Sequence, residues 1–175
     1  EEMHVLIAGA NYGWPYSYYD HVQGKRLLGP EYGGDGRKES AAGLYAEPIA
    51  TFPGHWAPND LMFYRGRQFP ARFRNGAFIV FHGSWNRAPG PQAGYNVVFQ
   101  PLADGKASGN YVVFADGFAG KNKEPGGAVH RPSGLAVGPN GALFISDDKG
   151  GRIWRVTYIG DPSARIQAAP APVME

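Results

Sequence analysis

Cysteine is absent from the 175 residues. That excludes disulfides, thiolate metal sites and a cysteine nucleophile, and it suits a reducing or an oxidising compartment equally. Long apolar runs are missing too, so no stretch approaches the length of a membrane span. Charge of one sign does not accumulate. The 17 basic and 15 acidic residues leave a formal net charge of +2, with no block of like charge to mark a nucleic-acid footprint. Helical periodicity is scarce. No secretory leader is visible, and Glu1-Glu2-Met3 reads as mid-domain sequence, so the chain is expected to be a piece of something longer.

What is present is glycine, proline and aromatic side chains. The 26 Gly and 15 Pro accompany 14% aromatic residues, which argues for short strands joined by tight turns rather than for aromatic-poor disorder. Apolar or alternating runs predict strands at 4–7, 61–64, 77–81, 95–100, 111–114, 134–137, 142–146 and 152–158. Pro139-Asn140-Gly141 and Asp147-Asp148-Lys149-Gly150-Gly151 punctuate them with residues that accept the positive φ of hairpin turns. Residues 1–160 form the expected domain. Residues 161–175, with Ala-Ala-Pro-Ala-Pro-Val at 168–173, read as a tail or linker.

The most informative stretch is His82-Gly83-Ser84-Trp85-Asn86-Arg87, set directly behind the run Ala77-Phe78-Ile79-Val80-Phe81. A buried strand would deliver an imidazole, an indole, an amide and a guanidinium to one place, and strand ends are where rigid scaffolds display chemistry. The plainer alternative makes Trp85 core and Arg87 a solvated charge.

An internal echo sets the fold. Pro58-Asn59-Asp60-Leu61 followed by Asn75-Gly76-Ala77 resembles Pro132-Ser133-Gly134-Leu135 followed by Asn140-Gly141-Ala142. Repeats of a small antiparallel sheet read as blades of an all-β propeller, about three of them at this length. A two-sheet sandwich is the alternative.

Several motifs then coincide with one family. Gly9-Ala10-Asn11-Tyr12-Gly13-Trp14-Pro15, His55-Trp56-Ala57-Pro58 with Phe63-Tyr64, His82 to Arg87, and Arg131-Pro132 with Gly134-Leu135-Ala136 occur in the right order. Together they resemble soluble pyrroloquinoline quinone-dependent sugar dehydrogenases, in the sorbosone and pyranose dehydrogenase branch. The resemblance implies the C-terminal half of a six-bladed propeller with a quinone at its axis. It also implies a periplasmic or secreted protein that oxidises sugars or sugar-derived aldehydes and passes electrons to an acceptor such as a cytochrome. A catalytic histidine and further quinone-binding residues would lie upstream, so this chain alone is expected to be inactive.

Carried over residue by residue, the resemblance places Arg131 against the quinone carboxylates, which suits the bidentate fork of a guanidinium. Asn86 stands where glucose-type relatives carry a lysine, and Arg87 could supply the missing charge. His55 and His82 are candidates for accepting a hydroxyl proton. Glu2 and Tyr12 fall at positions associated with a structural calcium ion, for which a carboxylate and a backbone carbonyl are suitable ligands, with Asp20 a further candidate. Asp147 and Asp148 read as caps of a hairpin turn. Tyr16 to Tyr19 could stack a sugar or merely cover a sheet edge. Two rival readings are a non-catalytic binding platform and a calcium-dependent lactonase. The latter needs clustered carboxylates, and the sequence shows isolated ones.

Overall fold

The computed structural model describes residues 1–124 and 126–161. The expected tail beyond Asp161 lies outside them. Among the described residues the structure is all-β apart from two short 3₁₀ turns at Pro30–Tyr32 and Ala71–Phe73, and every strand pairing is antiparallel. It divides into two compact units, with the break between Gly54 and His55.

The N-terminal unit holds two small pairings. β1 (Glu2–Met3) pairs with β4 (Ala50–Thr51), and β2 (Ser17–Asp20) with β3 (Lys25–Leu28). The strand expected at 4–7 does not form. Val5, Leu6 and Ile7 are exposed, and the Tyr12 hydroxyl takes the Ile7 N–H at 2.6 Å and donates to the Val5 carbonyl at 3.0 Å. The phenol thus occupies an N–H and a carbonyl that a ladder would pair.

The second unit is built on one sheet in which β5 (Pro58–Phe63), β6 (Gly76–Phe81), β7 (Asn96–Ala103) and β9 (Val112–Ala115) follow in order. The short β8 (Lys106–Ala107) folds back antiparallel on the end of β7. A second sheet has β10 (Pro132–Val137), β11 (Leu143–Asp147) and β12 (Arg152–Val156). β6 is buried along its whole length because it is central in its sheet and covered on both faces. Side chains alternate across a strand. Phe78 and Val80 enter the main cluster with Tyr64, Phe69, Phe73 and Phe99. Phe81 faces the other way and meets Trp56 edge-on at 5.2 Å.

The echo is real, but its register is not that of the Asn-Gly-Ala marks. In the first hairpin Pro58 pairs with Phe81 and Asp60 with Val80, with a bulge between Pro58 and Asp60. In the second, Pro132 pairs with Asp147 and Gly134 with Ser146, with a bulge at the same place. Beyond the bulges Leu61 faces Ile79 and Leu135 faces Ile145. This makes Ile79 and Ile145 equivalent, whereas alignment on Asn-Gly-Ala would match Ile79 with Phe144. A slip of one residue turns a strand's faces over, so the distinction matters. The left-handed residue before the returning strand is Asn75 (φ 57°) in one hairpin and Gly141 (φ 82°) in the other.

Three ties run along the seam between the sheets. At one end the Tyr64 hydroxyl donates to the Gly141 carbonyl at 2.7 Å. Midway the Asp60 carboxylate accepts the Leu135 N–H at 2.8 Å. At the other end lie His82 and Arg131.

Candidate functional site

β6 ends at Phe81, and the chain turns at Gly83 with φ 95°. A Cβ there would stand 2.1 Å from the Tyr95 ring, so both the backbone angle and the space require glycine. Ser84, which is buried, then closes the following loop. Its N–H donates to the Ala93 carbonyl and its Oγ accepts the Ala93 N–H, both at 2.8 Å. Trp85, Asn86 and Arg87 ride on the loop so closed. Trp85 is 68% exposed, which removes the core reading of this indole. Asn86 is exposed as well, and Arg87 donates from Nη1 to the Pro91 carbonyl at 2.8 Å.

Arg131 enters from the second sheet, one residue before β10. Its Nε donates to the His82 carbonyl at 3.2 Å and its Nη2 to the Gly83 carbonyl. The guanidinium carbon lies 5.6 Å from the centre of the Tyr95 ring. A guanidinium has five N–H donors, so the clasp leaves most of them for another acceptor. The Arg131 N–H donates to the Asp147 carboxylate at 2.9 Å, and His130 Nδ1 donates to the same carboxylate at 2.6 Å. Burial pushes the Asp147 carboxyl up. The N–H groups of Gly150 and Arg131 and the His130 imidazole outweigh that and hold it below its ordinary 3.8.

The His82 imidazole donates from Nε2 to Asp148, at 2.9 and 3.1 Å from its two oxygens. The capping role expected for the Asp147-Asp148 pair is present in part, since Asp147 also accepts the Lys149 N–H at 3.2 Å. The grip of these two carboxylates on His130, Arg131 and His82 is what residue-by-residue reading misses. A signal existed. In the register of the paired hairpins Asp148 is the counterpart of His82, so the repeat carries both to the same strand end.

His55 lies on the flank of this end. It adopts φ 64°, its side chain is exposed and makes no hydrogen bond among the described residues, and the neighbouring Trp56 carbonyl accepts the Gly83 N–H at 3.0 Å. The structure thus joins His82 to Arg131 directly, with Asn86 and Arg87 on the adjoining loop, and leaves His55 beside them without a bond.

Glu2 and Tyr12 belong to the N-terminal unit and are joined by a cation of the chain itself. Arg26 is buried. Its Nη2 donates to Glu2 Oε2 at 2.7 Å and its Nη1 to the Tyr12 carbonyl at 3.3 Å. Glu2 also accepts the Tyr19 N–H at 2.8 Å and lies 2.9 Å from His4 Nε2. Asp20 accepts the Gln23 N–H at 2.7 Å in its own turn. Among the described residues no group of three His, Cys, Asp or Glu is placed to hold a metal ion. The Glu2 carboxylate and the Tyr12 carbonyl are engaged by the Arg26 cation, and a set built around that charge does not fit calcium.

Burial raises the Glu2 carboxyl, but the bonds from Tyr19, Arg26 and His4 and the Arg26 charge bring it below 4.5. A depressed folded-state value stabilises above the unfolded value and loses that contribution as pH falls through the folded one. Acid titration is accordingly expected to loosen the N-terminal unit below about pH 4.5, read as loss of Tyr19 amide protection.

The profile of the TrAA12-like family matches residues 27–159. The chain belongs to the TrAA12-like family. An uncharacterized protein of Borreliella burgdorferi is 35% identical over 111 residues, which is 63% of this chain and 28% of that protein. The pyrroloquinoline quinone-dependent pyranose dehydrogenase of Coprinopsis cinerea is 28% identical over 158 residues, covering 76% of this chain and 20% of that protein. Among solved structures, the holo form of the pyranose dehydrogenase PQQ domain from Coprinopsis cinerea superposes with a TM-score of 0.55. It does so at 20% identity over 84% of this chain and 40% of that one. A glucose dehydrogenase gives a TM-score of 0.57 at 22% identity over 90% of this chain and 38% of that one. These structural likenesses establish a shared fold. The chain spans between 20% and 28% of the curated relatives' length. The resemblance to quinone-dependent sugar dehydrogenases read from the motifs is upheld at the level of the family.

Proposed function

We propose that this member of the TrAA12-like family is part of a sugar-oxidising quinoprotein, and that the strand end at His82 and Arg131 faces the quinone. The observation that carries the reading is the direct clasp of Arg131 on the His82 and Gly83 carbonyls beside the exposed Trp85. It brings Arg131 from the second sheet onto the His82 to Arg87 stretch at the end of β6. The name of the Coprinopsis relative supplies the identity of the cofactor. The donor set fits a planar, carboxylate-bearing group. Arg131 retains unspent donors in a rigid fork, and the Trp85 indole offers a flat face.

In this reading pyrroloquinoline quinone, when bound, supplies the two-electron acceptor. Arg131 and the loop carrying Asn86 and Arg87 bind and orient it. Asp148 engages His82 Nε2 and so leaves Nδ1 as the nitrogen that accepts the substrate hydroxyl proton. His55, free on the flank, contacts the substrate. The sheets are blades of a six-bladed propeller. β5-β6-β7-β9 is one blade and β10-β11-β12 most of the next, which the matching bulges and the shared fold support. The substrate class is a sugar or a sugar-derived aldehyde of the sorbosone kind, the acceptor a cytochrome, and the setting periplasmic or secreted.

The test is a titration of the full-length protein with pyrroloquinoline quinone, followed by sugar-dependent dye reduction. Saturable binding with turnover supports the reading. No quinone affinity would leave a non-catalytic binding platform in its place.

A further inference from the structure

We infer that Arg26 is the resident cation of the N-terminal unit, standing where Glu2 and Tyr12 would otherwise hold a divalent ion, so that this unit keeps its structure without calcium. The inference does not depend on the quinone reading.

The surroundings of Arg26 are a cage of oxygens. Nη2 donates to Glu2 Oε2 and to the Ala46 carbonyl, the latter at 3.1 Å. Nη1 donates to the Tyr12 carbonyl and to Ser17 Oγ, the latter at 3.4 Å. One carboxylate, two carbonyls and a hydroxyl are the kind of ligands that a hard cation takes. Here each has an N–H aimed at it. The charge balance is closed by the Glu2 carboxylate, with the exposed Glu47 carboxylate 4.0 Å from Arg26 Nε at the rim. A calcium ion added to this cage would meet a buried positive charge and find no second buried carboxylate to offset it.

The backbone is shaped to the fork. Gly13 holds φ 100°, and a Cβ there would stand 2.7 Å from Arg26 Nη1 and 2.3 Å from Ser17 Oγ. The rings of Tyr19 and Tyr45 flank the guanidinium carbon at 5.9 Å each. Aromatic faces attract a delocalised guanidinium, and they offer a hard divalent ion no lone pair. A planar fork is also what reaches a carboxylate and two carbonyls from one side, which an ammonium does less well.

Exchange of the Tyr19 amide reports on this cage, because that N–H is donated to Glu2. In the full chain, calcium at millimolar concentration and EDTA are expected to give the same Tyr19 protection. Arg26→Met, which keeps an apolar stem and removes the fork, should lower that protection about tenfold or more. Arg26→Lys should restore part of it. If Arg26→Met does not fold, the calcium arm on the native chain decides alone. A calcium-dependent rise in Tyr19 protection that Glu2→Gln abolishes overturns the inference, and so does unchanged protection in Arg26→Met.

Discussion

Replacing Arg131 by alanine is expected to weaken quinone binding by roughly 2–4 kcal/mol, because a charged, partly buried acceptor loses its partner. The substitution also releases the His82 and Gly83 carbonyls that the side chain holds. Stability must therefore be followed in parallel, and the binding loss should exceed the stability loss. Arg131→Lys should recover only part of the affinity, since an ammonium cannot reproduce the fork. His55→Ala should change turnover or substrate preference and leave quinone affinity nearly intact, because His55 makes no bond to the clasp. Titration of each apo-variant of the full-length protein with pyrroloquinoline quinone, then sugar-dependent dye reduction, separates the two effects. Unchanged affinity in Arg131→Ala would remove this arginine from the cofactor site.

The largest loss of stability is expected from Phe78→Ala, at about 3–5 kcal/mol. Phe78 is fully buried at the centre of β6. Its ring meets those of Tyr64, Phe73, Phe99 and Phe114 at 5.4, 6.2, 5.1 and 4.7 Å. Large rigid neighbours of this kind collapse poorly into a void, so the cavity cost adds to the lost transfer free energy. Denaturant unfolding followed through signals of the second unit measures it. A loss below about 1.5 kcal/mol would mean that the aromatic cluster refills the space.

The second unit was legible because its strands announce themselves. Gly76 to Phe81 is apolar without a break, and the hairpins around it are punctuated by Asn75 and Gly141 at left-handed positions. The repeat was legible in kind and not in register, because Asn-Gly places the left-handed residue on Asn in one copy and on Gly in the other. Legibility failed in the N-terminal unit for a physical reason. Lys25-Arg26-Leu27-Leu28 is a strand whose buried arginine is satisfied by Glu2 and backbone carbonyls far away in sequence. Periodicity assigns such a residue to the surface, since nothing local reveals its partner. At the site, Arg131 and His82 were legible as residue types at strand ends. Asp148 was not, because a pair of aspartates before Lys-Gly-Gly has a sufficient local explanation as a turn.

The bulges carry one more consequence, a matter of direction. Asp60 sits just past the bulge of the first hairpin, and its carboxylate holds the Leu135 N–H just past the bulge of the second. The position in the second hairpin that answers to Asp60 is Gly134, which has no side chain to extend. The second hairpin therefore has no carboxylate at this position with which to repeat the tie. Asp60→Ala would remove the middle tie on β10 and leave those at Tyr64 and Arg131, while a substitution at Gly134 would remove no tie of this kind. Neighbouring sheets of similar outline are in this respect not interchangeable, and a transposition of the two hairpins would sever the link although each kept its own register.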